Sequence, residues 1–218
     1  MKISDNSMFF PVLINLAKYP CLVIGGGTVA YRKVTTLQNF KAKVTVVSPK
    51  ICKPLKELAK KNKIKFIKKS YHKNYLKNFE VIFCATNNHK INLSVYEDCK
   101  AEKKLLNVAD VPELCDFILP AVIKRGNLTI SVSSQGKAPF YISEVKNKLD
   151  HVFPSYYADI VDIAGDFRAK VIANKKMNSP KKKNDAFNKF FEINWKKVLE
   201  QNGKKKTSEY VREIIKEL

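Results

Sequence analysis

Residues Cys21 to Lys33 read CLVIGGGTVAYRK. Four apolar residues, Cys21 to Ile24, run into three consecutive glycines and then Thr28, Val29 and Ala30. That order describes a buried strand, a tight turn and the first turn of a helix. The chain has only 7 glycines, so three in a row need a backbone reason, because glycine inside a helix or strand costs about 0.5–1 kcal/mol against alanine. Gly25, Gly27 and Ala30 fill a G-x-G-x-x-A spacing: the first allows the turn, the second lets a diphosphate approach the main chain, and the small third lets helix lie close on strand. The diphosphate then meets free N–H groups at the helix N-terminus. A purely structural strand-to-helix turn carries the same pattern, so its surroundings decide.

Those surroundings read as α/β. Thr28 to Phe40 is the first helix, packing Val29, Val34, Leu37 and Phe40, and Val44 to Ser48 is a second strand at the spacing of a βαβ unit. Its end, Val47-Ser48-Pro49-Lys50, lacks the acid that often holds an adenine ribose. Ser48 is placed to hydrogen-bond a ribose hydroxyl and Lys50 to meet a 2′-phosphate, which leaves NAD and NADP both open. A basic helix over 53–62 and a strand over 64–68 follow. Val81 to Ala85, VIFCA, is a continuous apolar run of the kind a parallel strand needs when both faces are covered. Thr86-Asn87-Asn88 stand at its carboxyl end, where open α/β sheets form their ligand crevice. A helix over 89–103 leads to a strand, Leu105 to Ala109, ending at Asp110. That acid is either a turn residue or a group facing the nicotinamide.

The chain then leaves the parallel sheet. Residues 116–123, a turn at 124–127 and residues 128–133 read as an antiparallel hairpin, with Pro120 forcing a break or an edge position. A helix starts at Pro139 and runs to about Asp150. Residues 151–218 carry apolar side chains at helical spacing: Ile160, Ile163 and Phe167, then Phe187, Phe190, Phe191, Ile193, Trp195, Val198 and Leu199. Between these blocks 174–184, lysine-rich with Pro180, reads as a loop. A last helix near 208–218 sets Tyr210, Val211, Ile214 and Leu218 on one stripe, read as core or a dimer contact. Residues 9–19 read as a lead-in lying against the sheet edge.

Composition narrows the classes. Apolar residues are 45% and charged residues 28%, ordinary for a globular protein, whereas the net charge of +21 is not. The excess is spread, with 26 Lys and Arg against 11 Asp and Glu in residues 1–150 and 15 against 9 in the rest. Nucleic acid, a polycarboxylate or polyphosphate substrate, and a merely basic solvated surface all fit that balance. Five cysteines without C-x-x-C spacing and three scattered histidines point to reduced thiols in a cytoplasm and to no metal site. Met8 to Ala17 is too short and too interrupted for a signal peptide. No apolar run approaches the ~20 residues of a membrane span.

Taken together, FFPVLINLAKYPCLVIGGGTVAYRK, VTVVSP, CATNN and LNVADVPELCDFILPAVIKRGNLTISVSSQGKAP resemble the siroheme synthase N-terminal family, precorrin-2 dehydrogenase/sirohydrochlorin ferrochelatase. The likeness covers roughly residues 8–150, and NVAD-x-P-x-LCDFI-x-P is its most specific part. It implies a Rossmann-type parallel sheet followed by a β-hairpin dimerisation element and a C-terminal helical region. The implied domains are 1–112 (NAD-binding), 113–150 (dimerisation hairpin and helix) and 151–218 (helical). The implied activity is NAD-dependent oxidation of precorrin-2 to sirohydrochlorin, with iron or cobalt insertion as a second, undecided step.

By the same resemblance Asp110 is the catalytic base, and Gly25, Gly26, Gly27, Thr28 and Val29 carry the diphosphate. Ser48, Pro49 and Lys50 hold the adenosine end, while Thr86, Asn87, Asn88, Asn107 and Val108 flank the nicotinamide. Ser134, in SVSSQG, matches a serine at the tetrapyrrole cleft, with Lys137 as a second substrate-side candidate. A homodimer joined through residues 113–138 is implied, without nucleic acid or membrane. The chain departs from the family at Gln135, where a second glycine is common, and at Ser143 and Glu144, where arginines are usual. A dinucleotide sensor without catalysis and a basic nucleic-acid-binding protein on the same scaffold are the competing readings.

Overall fold

The computed structural model describes residues 8–216. Five parallel strands form one sheet: β1 (Cys21–Ile24), β2 (Val44–Val47), β3 (Lys65–Ile67), β4 (Val81–Cys84) and β5 (Leu105–Val108). Their order is β3-β2-β1-β4-β5, so the chain reverses its direction of travel across the sheet between β1 and β4. β1, β2 and β4 are buried at every position, as the unbroken apolar runs require.

Side chains alternate across the sheet. Cys21 and Val23 point into a core with Ala30, Val34, Leu37 and Leu55; Leu22 and Ile24 point into another with Val95, Cys99 and Leu106. The first core is roofed by α1 (Thr28–Asn39) and α2 (Lys53–Lys60), the second by α3 (His89–Ala101). The expected Rossmann-type α/β architecture is therefore present, with strand and helix ends one or two residues inside those expected.

Two compact units divide the chain. One runs to Leu119 and takes in Gln135–Lys137; the other holds Pro120–Ser134 and the chain from Ala138 onward. In the first, Met8, Phe10 and Leu13 are exposed, and Leu16 packs on the α1 side of the sheet. Gln135 grips the backbone of Phe9 from both ends of its amide, accepting from N–H at 2.9 Å and donating to the carbonyl at 3.2 Å.

In the second unit a hairpin joins β6 (Ala121–Arg125) to β7 (Leu128–Val132) through Gly126 and Asn127. The hairpin is shorter than expected at its start. Residues 116–119 do not pair with β7, because Asp116 is bound to Leu106 instead, and the strand begins only after Pro120. Helices α4 (Pro139–Val152), α5 (Tyr157–Ala173), α6 (Pro180–Phe191) and α7 (Trp195–Lys216) follow.

Three expectations here need correction. Residues 180–184 are helix and not loop: Pro180 is the first residue of α6, and Ser179 caps it by accepting from Lys182 N–H at 3.3 Å. The span Trp195–Lys216 is two helices meeting at Gly203, whose φ of 67° and ψ of 168° no helix holds, so the last helix begins just after Gly203, a few residues earlier than expected. Phe191 is 80% exposed, while its neighbour Phe190 stacks on Trp195 with ring centres 4.5 Å apart. Ile163, Phe167, Val171, Phe190, Trp195 and Val211 form the core of this unit. Tyr210 remains 40% exposed, and Leu218 lies outside the described residues.

Candidate functional site

The three glycines sit at the switch point, at the carboxyl end of β1 between β2 and β4. Gly25 has φ of +120°, and a Cβ there would lie 2.2 Å from the carbonyl oxygen of Ala85 at the end of β4. A Cβ on Gly26 would lie 1.9 Å from the carbonyl oxygen of Lys50, and the Gly26 carbonyl accepts from Cys52 N–H at 2.8 Å. Gly26 thus fastens the turn to the β2–α2 loop, a task its middle place in the motif does not reveal. Gly27 is different: nothing lies within 4 Å of its Cβ position. It opens α1 with no side chain capping the helix N-terminus, so the first N–H groups face out unclaimed by a cap.

A cleft of about 270 Å³ lies over this turn, lined by Gly25, Gly26, Gly27, Ser48, Pro49, Thr86 and Asn87 with Ile24, Val47, Ser70, Tyr71, Ala85 and Ile91. Seven of the thirteen expected cofactor residues are therefore gathered in one place. Ser48 is buried and its hydroxyl donates to the Lys50 carbonyl at 2.6 Å, which leaves its oxygen to accept. Thr86 Oγ1 donates to Asn92 Oδ1 at 2.9 Å and accepts from Asn88 N–H at 3.0 Å. Asn88 caps α3 through Ile91 N–H. Asn92, buried and also accepting from the Cys84 thiol, is the hidden anchor of this loop.

The end of β5 is built otherwise. Asp110 is exposed and held at φ of 60°, a left-handed conformation that aspartate tolerates better than most residues. Just before it, Asn107 is buried and uses its whole amide: Oδ1 accepts from Lys33 Nζ at 2.8 Å, and Nδ2 donates to the Phe117 carbonyl at 2.9 Å. Burial lowers the Lys33 ammonium below its ordinary value, against an upward pull from Cys115 and Asp110. Lys33 lies on the face of α1 that buries Ala30, Val34 and Leu37. That misplaced charge was the signal for it.

Val108 is buried and its N–H donates to Cys115 Sγ at 3.1 Å. Asp116 exchanges two bonds with the backbone of Leu106, at 2.8 and 2.9 Å, and Phe117 packs edge-on to Phe83. Cys-Asp-Phe of the specific motif is thus a clip along the free edge of β5. Thr28 and Val29 begin α1, and Lys50 is exposed. Ser134 Oγ accepts from Ala138 N–H at 2.9 Å at the start of α4; Lys137 is exposed in the preceding turn. Among the described residues no cluster of His, Cys, Asp and Glu could hold a metal ion, and no helix is long and apolar enough to cross a membrane.

A family model described as NAD(P)-binding matches residues 12–121. The siroheme synthase of Ruthia magnifica subsp. Calyptogena magnifica is 37% identical over 163 residues, 75% of this chain and 34% of that protein. The siroheme synthase of Pseudoalteromonas translucida is 36% identical over 163 residues, with the same shares.

The chain belongs to the siroheme synthase N-terminal, NAD(P)-binding family.

It spans about a third of the length of the curated relatives it matches. Among solved structures, one titled SirC, precorrin-2 dehydrogenase, superposes with a TM-score of 0.75 at 21% identity, covering 96% of this chain and all of that one. The likeness extends the shared fold beyond the NAD(P)-binding region through the hairpin and the C-terminal helices.

The residues present fit the dinucleotide that this NAD(P)-binding family takes. The turn is cleared of side chains where a diphosphate must pass, since Gly27 has open space at its Cβ position and α1 begins uncapped. The cleft continues from that turn to the end of β2, where a ribose and base would lie.

Proposed function

We propose that this chain oxidises precorrin-2 to sirohydrochlorin with NAD as the oxidant, a step in siroheme formation. The observation that carries the reading is the conjunction at one end of the sheet. There a glycine cradle at the switch point faces the end of β4, and one strand further along the sheet β5 ends at Asp110, held in a left-handed conformation. When bound, the dinucleotide supplies a two-electron acceptor for hydride. The remaining work belongs to this chain. The N–H groups at the start of α1 bind the diphosphate, Ser48 with Pro49 and Lys50 holds the adenosine end, and Thr86 with Asn87 borders the nicotinamide side. An Asp110 carboxylate oxygen accepts the proton that leaves the tetrapyrrole as its hydride departs.

NAD is read over NADP from Ser48, whose oxygen is left to accept from a ribose hydroxyl; Lys50 at the same end is exposed and would meet a 2′-phosphate, so turnover with NADP⁺ run in parallel decides between the two. Ser134 and Lys137 are assigned to the substrate's carboxylates, and the hairpin to a homodimer contact. Five free cysteines suit a reducing compartment such as the cytoplasm.

The test is anaerobic turnover of precorrin-2 with NAD⁺, followed by NADH release. Asp110→Asn preserves the left-handed backbone and lowers kcat by at least about a hundredfold, while NADH binding is retained. A variant that turns over at the parental rate, or a wild-type chain that releases no NADH, removes the reading. Ferrous ion added to the product then reports whether metal insertion follows, with iron as substrate.

A further inference from the structure

Part of the cleft is walled by groups that no motif marks. Tyr71 follows β3 and lines the cleft with Val47, Pro49 and Ile91. It is half-buried, and its ring packs on the α3 side of the core, as Ile91 does. Its phenol donates to Asp98 Oδ2 on α3 at 2.9 Å. Burial first, and then the Asp98 carboxylate, push its ionisation well above the ordinary phenol value, so it remains a donor at neutral pH. The ring is therefore fixed from two sides, by packing and by a hydrogen bond to a neighbouring element. A flat heteroaromatic base is held best between apolar and aromatic surfaces, and a wall fixed in advance loses little rotamer freedom when the base arrives.

We propose that Tyr71 is the wall against which the adenine ring of the dinucleotide packs, and that Asp98 is the residue positioning it. This rests on the dinucleotide reading above and extends it to the far half of the ligand. Tyr71 follows β3, the strand at the opposite edge of the sheet from β5, and lines the cleft beside Val47 and Pro49 at the end of β2. At the switch point the lining is the glycine backbone with Thr86 and Asn87, beside the small apolar floor of Ile24 and Ala85; the N–H groups and amides there suit phosphate and amide groups.

The full chain is titrated with NADH and with reduced nicotinamide mononucleotide, which lacks the adenosine half, using ligand fluorescence. Tyr71→Ala weakens NADH about tenfold and leaves the mononucleotide unchanged. Tyr71→Phe and Asp98→Ala, which break the lock but keep the ring, give a smaller loss confined to NADH. Asp98→Asn, whose amide oxygen still accepts the phenol proton, restores wild-type binding. ADP-ribose added to the wild-type chain gives nuclear Overhauser contacts between adenine protons and the Tyr71 ring, a readout independent of any variant's folding. Equal weakening of both ligands by Tyr71→Ala, unchanged NADH binding, or no adenine contact to the ring overturns the proposal. If the wild-type chain binds neither NADH nor ADP-ribose, the dinucleotide reading fails first and takes the wall with it. Tight NADH binding indifferent to Tyr71 sinks the wall alone.

Discussion

Three adjacent glycines do three different things. Gly25 holds a φ that side chains resist, Gly26 makes room for a carbonyl, and Gly27 leaves space empty. Alanine at Gly25 or Gly26 drives a methyl into backbone, and overpacking of this kind costs about 1–3 kcal/mol. Urea unfolding of either variant should show that loss. Alanine at Gly27 meets nothing in the folded chain, so its unfolding midpoint should stay near the parent's while NADH affinity falls, if the methyl occupies the ground proposed for the diphosphate. A Gly27→Ala chain that binds normally would mean that no ligand passes there. The roles of Gly25, Gly27 and Ala30 were readable from spacing. That of Gly26 was not, since the carbonyl it accommodates arrives from the β2–α2 loop.

At the scale of elements, the end of the sheet is finished by chain that is not strand. Cys115 and Asp116 run along β5 and take up backbone groups that a further strand would have satisfied, while the Phe117 carbonyl accepts from the Asn107 side chain. Asp116→Ala strands the Leu106 N–H and should lower stability by about 1 kcal/mol, measured by urea unfolding, with NADH binding intact. Equal loss of binding would show that the clip also shapes the cleft. The same clip explains why the hairpin begins after Pro120: residues that alternate like a strand were already engaged. The start of α6 was misread for a related reason. Lysines and a proline resemble a loop in composition, but Ser179 followed by Pro180 is a cap followed by a first turn. Lys33 was legible in principle as a charge on the buried stripe of α1, although its partner Asn107 comes from β5.

For the whole chain, charge and buried thiols set the response to conditions. A surface carrying +21 should draw a polycarboxylate substrate inward, so kcat/KM for precorrin-2 should fall as salt rises while kcat holds; salt-insensitive kcat/KM would remove that role. Burial pushes the Cys21 thiol up to about 11 and the Cys84 and Cys99 thiols up to about 12, from an ordinary 9.0. Above 9.0 the unfolded chain releases these protons and the folded chain keeps them. Stability therefore falls as pH climbs from 9.0 toward 12. Urea unfolding across that range should show the decline, and Cys84→Ala together with Cys99→Ala should make it shallower, with Cys21 and Tyr71 sustaining the rest.

The residue order by itself determined the parallel sheet, the glycine turn and the placing of Asp110 at a strand end, because periodicity, backbone freedom and strand polarity are local properties written in consecutive residues. Which side chains support the strand ends was decided only by the tertiary structure. Tyr71 meets Asp98, Lys33 meets Asn107 and Asp116 meets Leu106 across separate elements, and such pairs exist only once the sheet has brought its strand ends together.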